Sequence, residues 1–173
     1  MRRSKALIVS FGPTLVFPPS SFTLDWYVKA VSMRMFREAF VTSLEIGLLA
    51  IVIALLFGVP AAYALVRFPF RGRETVEFAF TAPIVVPALV IGFALLRYYV
   101  RLGRLPIFPG LLIAHIVLLF PYAVRVTAAS LRNFDFQTEE AAVSLGAPQW
   151  KAFFRVVLPN VRTGVLAAFI LGF

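Results

Sequence analysis

The residues best placed to do chemistry or to bind a partner are gathered between Glu139 and Pro159. Two adjacent carboxylates, Glu139 and Glu140, precede two small residues, Ala141 and Ala142; Leu145 and Gly146 follow, and Leu158 and Pro159 close the stretch. Carboxylates in such a position can cap backbone donors or meet a cationic group on another chain. Small residues allow two helix surfaces to approach closely, and a glycine permits the sharp turn that makes a helix a knob rather than a continuation. Other chemistry is missing. The chain has no cysteine, which excludes disulfides, thiolate metal sites and Cys nucleophiles, and its single histidine, His115, leaves a His-based metal cluster without ligands. There is no phosphate-binding GxxxxGK[ST], no H-E-x-x-H and no G-x-S-x-G, so no catalytic residue, metal or cofactor is expected, and any ATP must be bound by another chain.

The elements that must position these residues can be read locally. Asp135 is a plausible N-cap, with Glu139 and Glu140 in the first turns, where they favour the helix dipole. Gly146 sits where a C-terminal cap belongs, Pro148 suits the first turn of a second helix, and Pro159 ends that helix or hands it on. The whole connection, 125–162, is far longer than the ~4–6 residues of an ordinary loop.

On either side of it the chain is apolar. Hydrophobic residues make up 61% and charged residues 14%, against roughly 25% charged in soluble domains, and the mean hydropathy is +0.90. Uncharged windows at Ile46–Leu65, Phe78–Leu96 and Ile107–Val124 each match a bilayer core of ~30 Å. Continuous apolar runs fit helices rather than the alternating strands of a barrel. The fold class expected is therefore all-α and polytopic, with about five spans. Ala6–Leu24 is read as a poor first span broken by Pro13, Pro18 and Pro19, in preference to a signal peptide, and Thr163–Phe173 as the start of an incomplete last span. With the N-terminus in the cytoplasm, eleven Lys and Arg fall inside and six outside, which also puts 125–162 in the cytoplasm. The net charge of +9 punctuates apolar stretches rather than forming a patch, which suits lipid head groups and argues against nucleic acid.

Polar groups inside the windows are candidates for the pathway, because charge at the bilayer centre is costly. Glu45 either lines a cationic path or, as the simpler reading, pairs with Arg37 or Arg34 near the interface. His115, among Leu, Ile and Val, reads first as a helix–helix hydrogen-bonding residue and second as a substrate contact. Pro83, Pro87 and Gly92 in one window point to a broken helix, serving either gating or kinked packing. Trp26, Tyr27, Tyr98 and Tyr99 look like interfacial anchors.

Taken together, Glu140-Ala141-Ala142, three residues, Gly146, nine residues, then Val156-Val157-Leu158-Pro159 resemble the cytoplasmic signature of the type-1 transmembrane domain of bacterial ABC importers. Val156 replaces the usual Ile. The tripeptide alone is ordinary helix-ending chemistry; the full spacing, in a loop between spans, carries the likeness. It extends over about 40–173, including the basic turn Arg67–Arg73 with Pro83 and Pro87. The resemblance implies a domain over 39–173, preceded by a first span and extracytoplasmic connection at 1–38, and a sixth span beyond Phe173. It also implies a coupling helix that receives motion from a separate ABC ATPase subunit through Glu139, Glu140, Ala141, Ala142, Leu145 and Gly146, with Leu158 and Pro159 anchoring the loop back onto the spans. A second permease subunit, identical or not, and an extracytoplasmic solute-binding protein complete the expected assembly in the inner membrane. Leu24–Tyr27, Ala114-His115 and Leu119–Tyr122 look most like the spermidine and putrescine permeases; importers of iron, thiamine, sulfate or molybdate, and a secondary transporter without an ATPase, are the alternatives.

Overall fold

The computed structural model describes residues 23–103 and 106–173. The reading of a first span or signal peptide falls on residues outside this range but for Thr23 and Leu24, and Arg2, Arg3, Lys5 and Arg104 lie outside it as well. Among the described residues every regular element is helical, and the chain divides between Glu45 and Ile46 into two compact units.

The first unit holds α1 (Asp25–Ser32) and the opening turns of α2 (Arg34–Arg67). The Thr23 hydroxyl accepts the Asp25 N–H at 3.1 Å, starting α1. Arg34 donates to Glu38 one turn on, at 2.6 Å. Glu45 is exposed, and neither Arg34 nor Arg37 pairs with it among the described ion pairs. Glu38, four residues after Arg34, is the nearer neighbour on the helix surface and takes the cation instead.

The second unit takes in the rest of α2, then α3 (Arg73–Val85), α4 (Ala88–Arg101) and α5 (Ile107–Arg132). After these come α6 (Gln137–Ser144), α7 (Gln149–Ala152), a π turn at Phe153–Val157, α8 (Leu158–Asn160) and α9 (Arg162–Gly172). By length and composition α2 and α5 each suffice to cross a membrane, and α3 with α4, and Gln149–Asn160 with α9, form two bent pairs that each reach that standard jointly. The apolar window at Phe78–Leu96 is thus not one straight helix. It breaks at Val86 and Pro87 with a bend of 98°, because Pro87 has no N–H to continue the ladder and forces Val86 into an extended conformation. The window ending at Val124 is longer than the hydropathy indicates: α5 continues two turns to Arg132. Its extension is amphipathic, with Thr127, Ala128 and Leu131 buried and the charged residues outside.

Small residues let these helices close up. Ala54, Gly58 and Ala62 of α2 are buried, as are Ala123 and Ala128 of α5. At the C-terminal end of α2 the core consists of Ala62, Tyr63 and Leu65 against Val124, Ala128 and Leu131, with Val157 from the end of the π turn and Val161 just beyond α8. The opposite faces stay apolar yet exposed, including Leu56, Phe57, Leu89, Phe93 and Ile170. Surface of that kind is suited to lipid, not water.

Candidate functional site

The stretch 135–161 is held against the C-terminal end of α2 by a compact polar and aromatic seat. The loop helix α6 begins as its residues dictate. The Asp135 carboxylate accepts the Gln137 N–H at 3.0 Å, satisfying a donor that the first turn would otherwise leave free. Its end follows equally from local chemistry. Gly146 adopts φ +91°, its N–H bonds to the Val143 carbonyl at 2.9 Å, and the Ala147 N–H reaches back to the Ala142 carbonyl at 3.1 Å. These two bonds are the Schellman arrangement, which needs a residue in the left-handed region. Pro148 caps α7 from an extended conformation, one residue before the first turn, with its carbonyl accepting from Lys151 and Ala152.

Glu139 faces inward. Its side chain is 0% exposed, and one carboxylate oxygen lies 3.0 Å from Nε of Arg67, the last residue of α2. The Tyr63 hydroxyl, one turn earlier on α2, donates to the other oxygen. Arg67 is forked: its terminal nitrogen donates to the Glu140 carboxylate at 2.9 Å. The guanidinium also sits 5.2 Å from the centre of the Phe136 ring, within cation–π range. Phe153 packs on the Tyr63 ring at 4.7 Å and Phe68 meets it edge-on at 5.7 Å. Two residues of α2 therefore receive both sides of the loop.

This arrangement alters the roles read from the sequence. Both acids are engaged by Arg67 of their own chain. Glu140 remains open to solvent as well, whereas Glu139 is fully enclosed. Ala141 and Leu145 lie on the exposed side of α6 and Ala142 is half-buried; Leu145, at 90% exposure, is the most accessible large apolar side chain among the described residues. Trp150, at 67%, and Phe154 extend that apolar surface beyond Gly146. Leu158 is only half-buried and Pro159 is exposed, so they are not the main anchor. Val157 and Val161, which enter the core, take that part. The π turn preceding Pro159 widens the helix just where a proline ring would crowd the carbonyl four residues back. Asn160 donates its side-chain amide to the Val156 carbonyl at 2.7 Å.

The remaining candidates lie apart from this seat. His115 bonds through Nδ1 to the Leu111 carbonyl of its own helix at 2.8 Å rather than to another helix. Pro83 lies within α3 and Pro87 at the bend that follows it. Tyr99 donates to the Gly110 carbonyl at 3.1 Å, tying α4 to α5. Sequence reasoning overlooked Arg67 and Tyr63 as partners of the loop. The only local signal was that they stand one turn apart at the end of an apolar helix, on one face.

Residues 50–173 match the family described as binding-protein-dependent transport system inner membrane component, and the chain belongs to that family. Across 96% of its length it is 33% identical to the putrescine transport system permease protein PotI of Escherichia coli K12, and across 79% it is 32% identical to the molybdenum transport system permease protein ModB of the same strain. It spans 62% and 65% of those proteins, respectively. A bacterial ABC transporter involved in importing the acidic polysaccharide alginate superposes over 99% of the chain and 65% of its own, with a TM-score of 0.77 and 14% identity. The fold is that of the type-1 ABC importer permeases.

Proposed function

We propose that this chain is the membrane-crossing part of a permease subunit in an ATP-driven importer, and that α6 is the element an ABC ATPase subunit grips. The observation that carries this reading is the build of α6. It is a short helix outside the apolar segments, seated on α2 by Glu139 and Glu140 and ended abruptly at Gly146, with Leu145 at its C-cap and Trp150 of the following α7 exposed to solvent. An exposed apolar surface on a rigid seat suits a partner that must both bind and push. No residue here binds ATP through a phosphate loop, so hydrolysis belongs to the partner and this chain is not itself an enzyme.

The permease domain covers 39–173, with its connection 125–162 and its N-terminus in the cytoplasm. A second permease subunit, identical or different, lines the pathway, and an extracytoplasmic solute-binding protein delivers cargo. Alternating access moves a small solute across the inner membrane, with Pro83, Pro87, Glu45 and His115 as pathway or gating candidates. A polyamine such as putrescine is the substrate favoured here, supported by the 33% identity to a putrescine permease across nearly the whole chain; the similar identity to a molybdenum permease makes molybdate the comparison to run beside it.

Capture of the ATPase subunit by the detergent-solubilised full-length permease tests the central point. The unsubstituted protein retains the ATPase, and Leu145→Asp, which puts charge on the exposed face without touching the core, loses it. If the Leu145→Asp protein, inserted normally, captures as much ATPase as the unsubstituted one, α6 is not the grip.

A further inference from the structure

All the polar contacts that α6 makes to other helices, among the described residues, run to α2. Arg67 contacts Glu139 and Glu140, and Tyr63 contacts Glu139. No side-chain hydrogen bond or ion pair ties α6 to α3, α4, α5 or α9 among those residues. We propose that Tyr63, Arg67 and Glu139 form a lock that makes α6 and the C-terminal end of α2 a single moving body, so that a displacement imposed on α6 enters the membrane-crossing helices through α2. The proposal rests on the permease reading and adds to it a direction for the motion and the residues that carry it.

The chemistry of the lock favours rigidity. Glu139 is completely enclosed, so sliding α6 off its seat would strand a buried carboxylate or expose the apolar floor beneath it; either outcome is strongly unfavourable. One of its oxygens accepts from the Tyr63 hydroxyl, and the other lies 3.0 Å from Arg67 Nε as an ion pair without hydrogen-bond geometry. Arg67 also reaches Glu140, the next residue, so rolling α6 about its axis breaks one arm of the fork. A lysine has no planar fork and could not hold both acids in this fixed geometry. Phe136 against the guanidinium and Phe153 against the Tyr63 ring extend the same grip to either side of α6. Tyr63, Arg67 and Glu139 are thus positioning residues.

Spin labels are placed at Leu56→Cys on α2 and Ser144→Cys on α6 before the ATPase subunit is added, in a background with any cysteine outside residues 1–173 replaced. Their separation is measured by double electron–electron resonance in the full-length permease purified with its ATPase subunit, without nucleotide and with ATP and vanadate. The lock requires one distance, the same in both states. Glu139→Gln and Tyr63→Phe should each raise a displaced population about tenfold, the equivalent of one lost hydrogen bond. Arg67→Lys should preserve more of the original distance than Arg67→Ala, a graded rescue that a purely structural role in folding would not produce. Tyr63→Phe deletes a single hydroxyl and carries the test should the Glu139 variant fail to insert. A distance that shifts with ATP and vanadate when the lock residues are unsubstituted, or variants with unchanged distributions, would overturn the lock alone. Failure of every form to capture an ATPase overturns the permease reading, and the lock with it.

Discussion

Gly58 of α2 and Ala123 of α5 meet so closely that a Cβ on the glycine would lie 2.8 Å from the Cβ of the alanine. Real Cβ atoms do not approach to that distance, so the two helices are packed as near as their backbones allow at this level. Gly58 belongs to the buried run Ala54, Gly58 and Ala62, where small residues take the place that large apolar side chains have in a water-soluble core.

The first prediction is drawn from that contact. Gly58→Val should separate α2 from α5 and lower stability by about 1–3 kcal/mol, the range for forcing extra volume into a close-packed interface. The thermal unfolding midpoint of the detergent-solubilised protein, followed by tryptophan fluorescence, checks this. Gly92→Val is the control, since a Cβ there meets nothing among the described residues; if both variants unfold at the same temperature, the packing account is wrong.

A second prediction concerns the end of α6. No atom of the described residues would touch a Cβ at Gly146, yet its φ of +91° is one that L side chains rarely adopt. Gly146→Ala should therefore cost about 1–2 kcal/mol through backbone strain alone. The loss should appear locally, as faster hydrogen exchange of the Gly146 and Ala147 amides, the two donors of the cap, with little change elsewhere. Uniform loss of protection across α2 and α5 would show that the strain account is misplaced.

Thr127 supplies a third. Its side chain is fully buried on α5 and its hydroxyl has no hydrogen-bond partner among the described residues. Thr127→Val keeps the shape and removes the orphaned oxygen, so it should raise stability by about 1 kcal/mol. A lower unfolding midpoint for Thr127→Val would mean that the hydroxyl finds a partner in the folded protein.

The sequence by itself determined whatever a few neighbouring residues can decide. The apolar windows located the membrane-crossing segments, since mean hydropathy over a bilayer's thickness is a local quantity. Asp135 and Gly146 marked the two ends of α6, because capping depends on side chains and φ angles within one turn. Pro87 marked a break by removing a backbone donor, whereas Pro83 sits inside α3, and the family signature was legible as spacing alone.

Tertiary structure decided the rest. It set the 98° of the bend after α3 and carried α5 on to Arg132, where burial against α2 outweighed the fall in hydropathy. It sent Val157 and Val161, not Leu158 and Pro159, into the core. Above all it paired Glu139 with Arg67 and Tyr63, residues more than seventy positions away. Such a pairing has no local signal. An acid after a helix start reads the same whether it faces water, a partner or an arginine of its own chain, and only the packing of the loop on α2 removes water from around it and makes that arginine its partner.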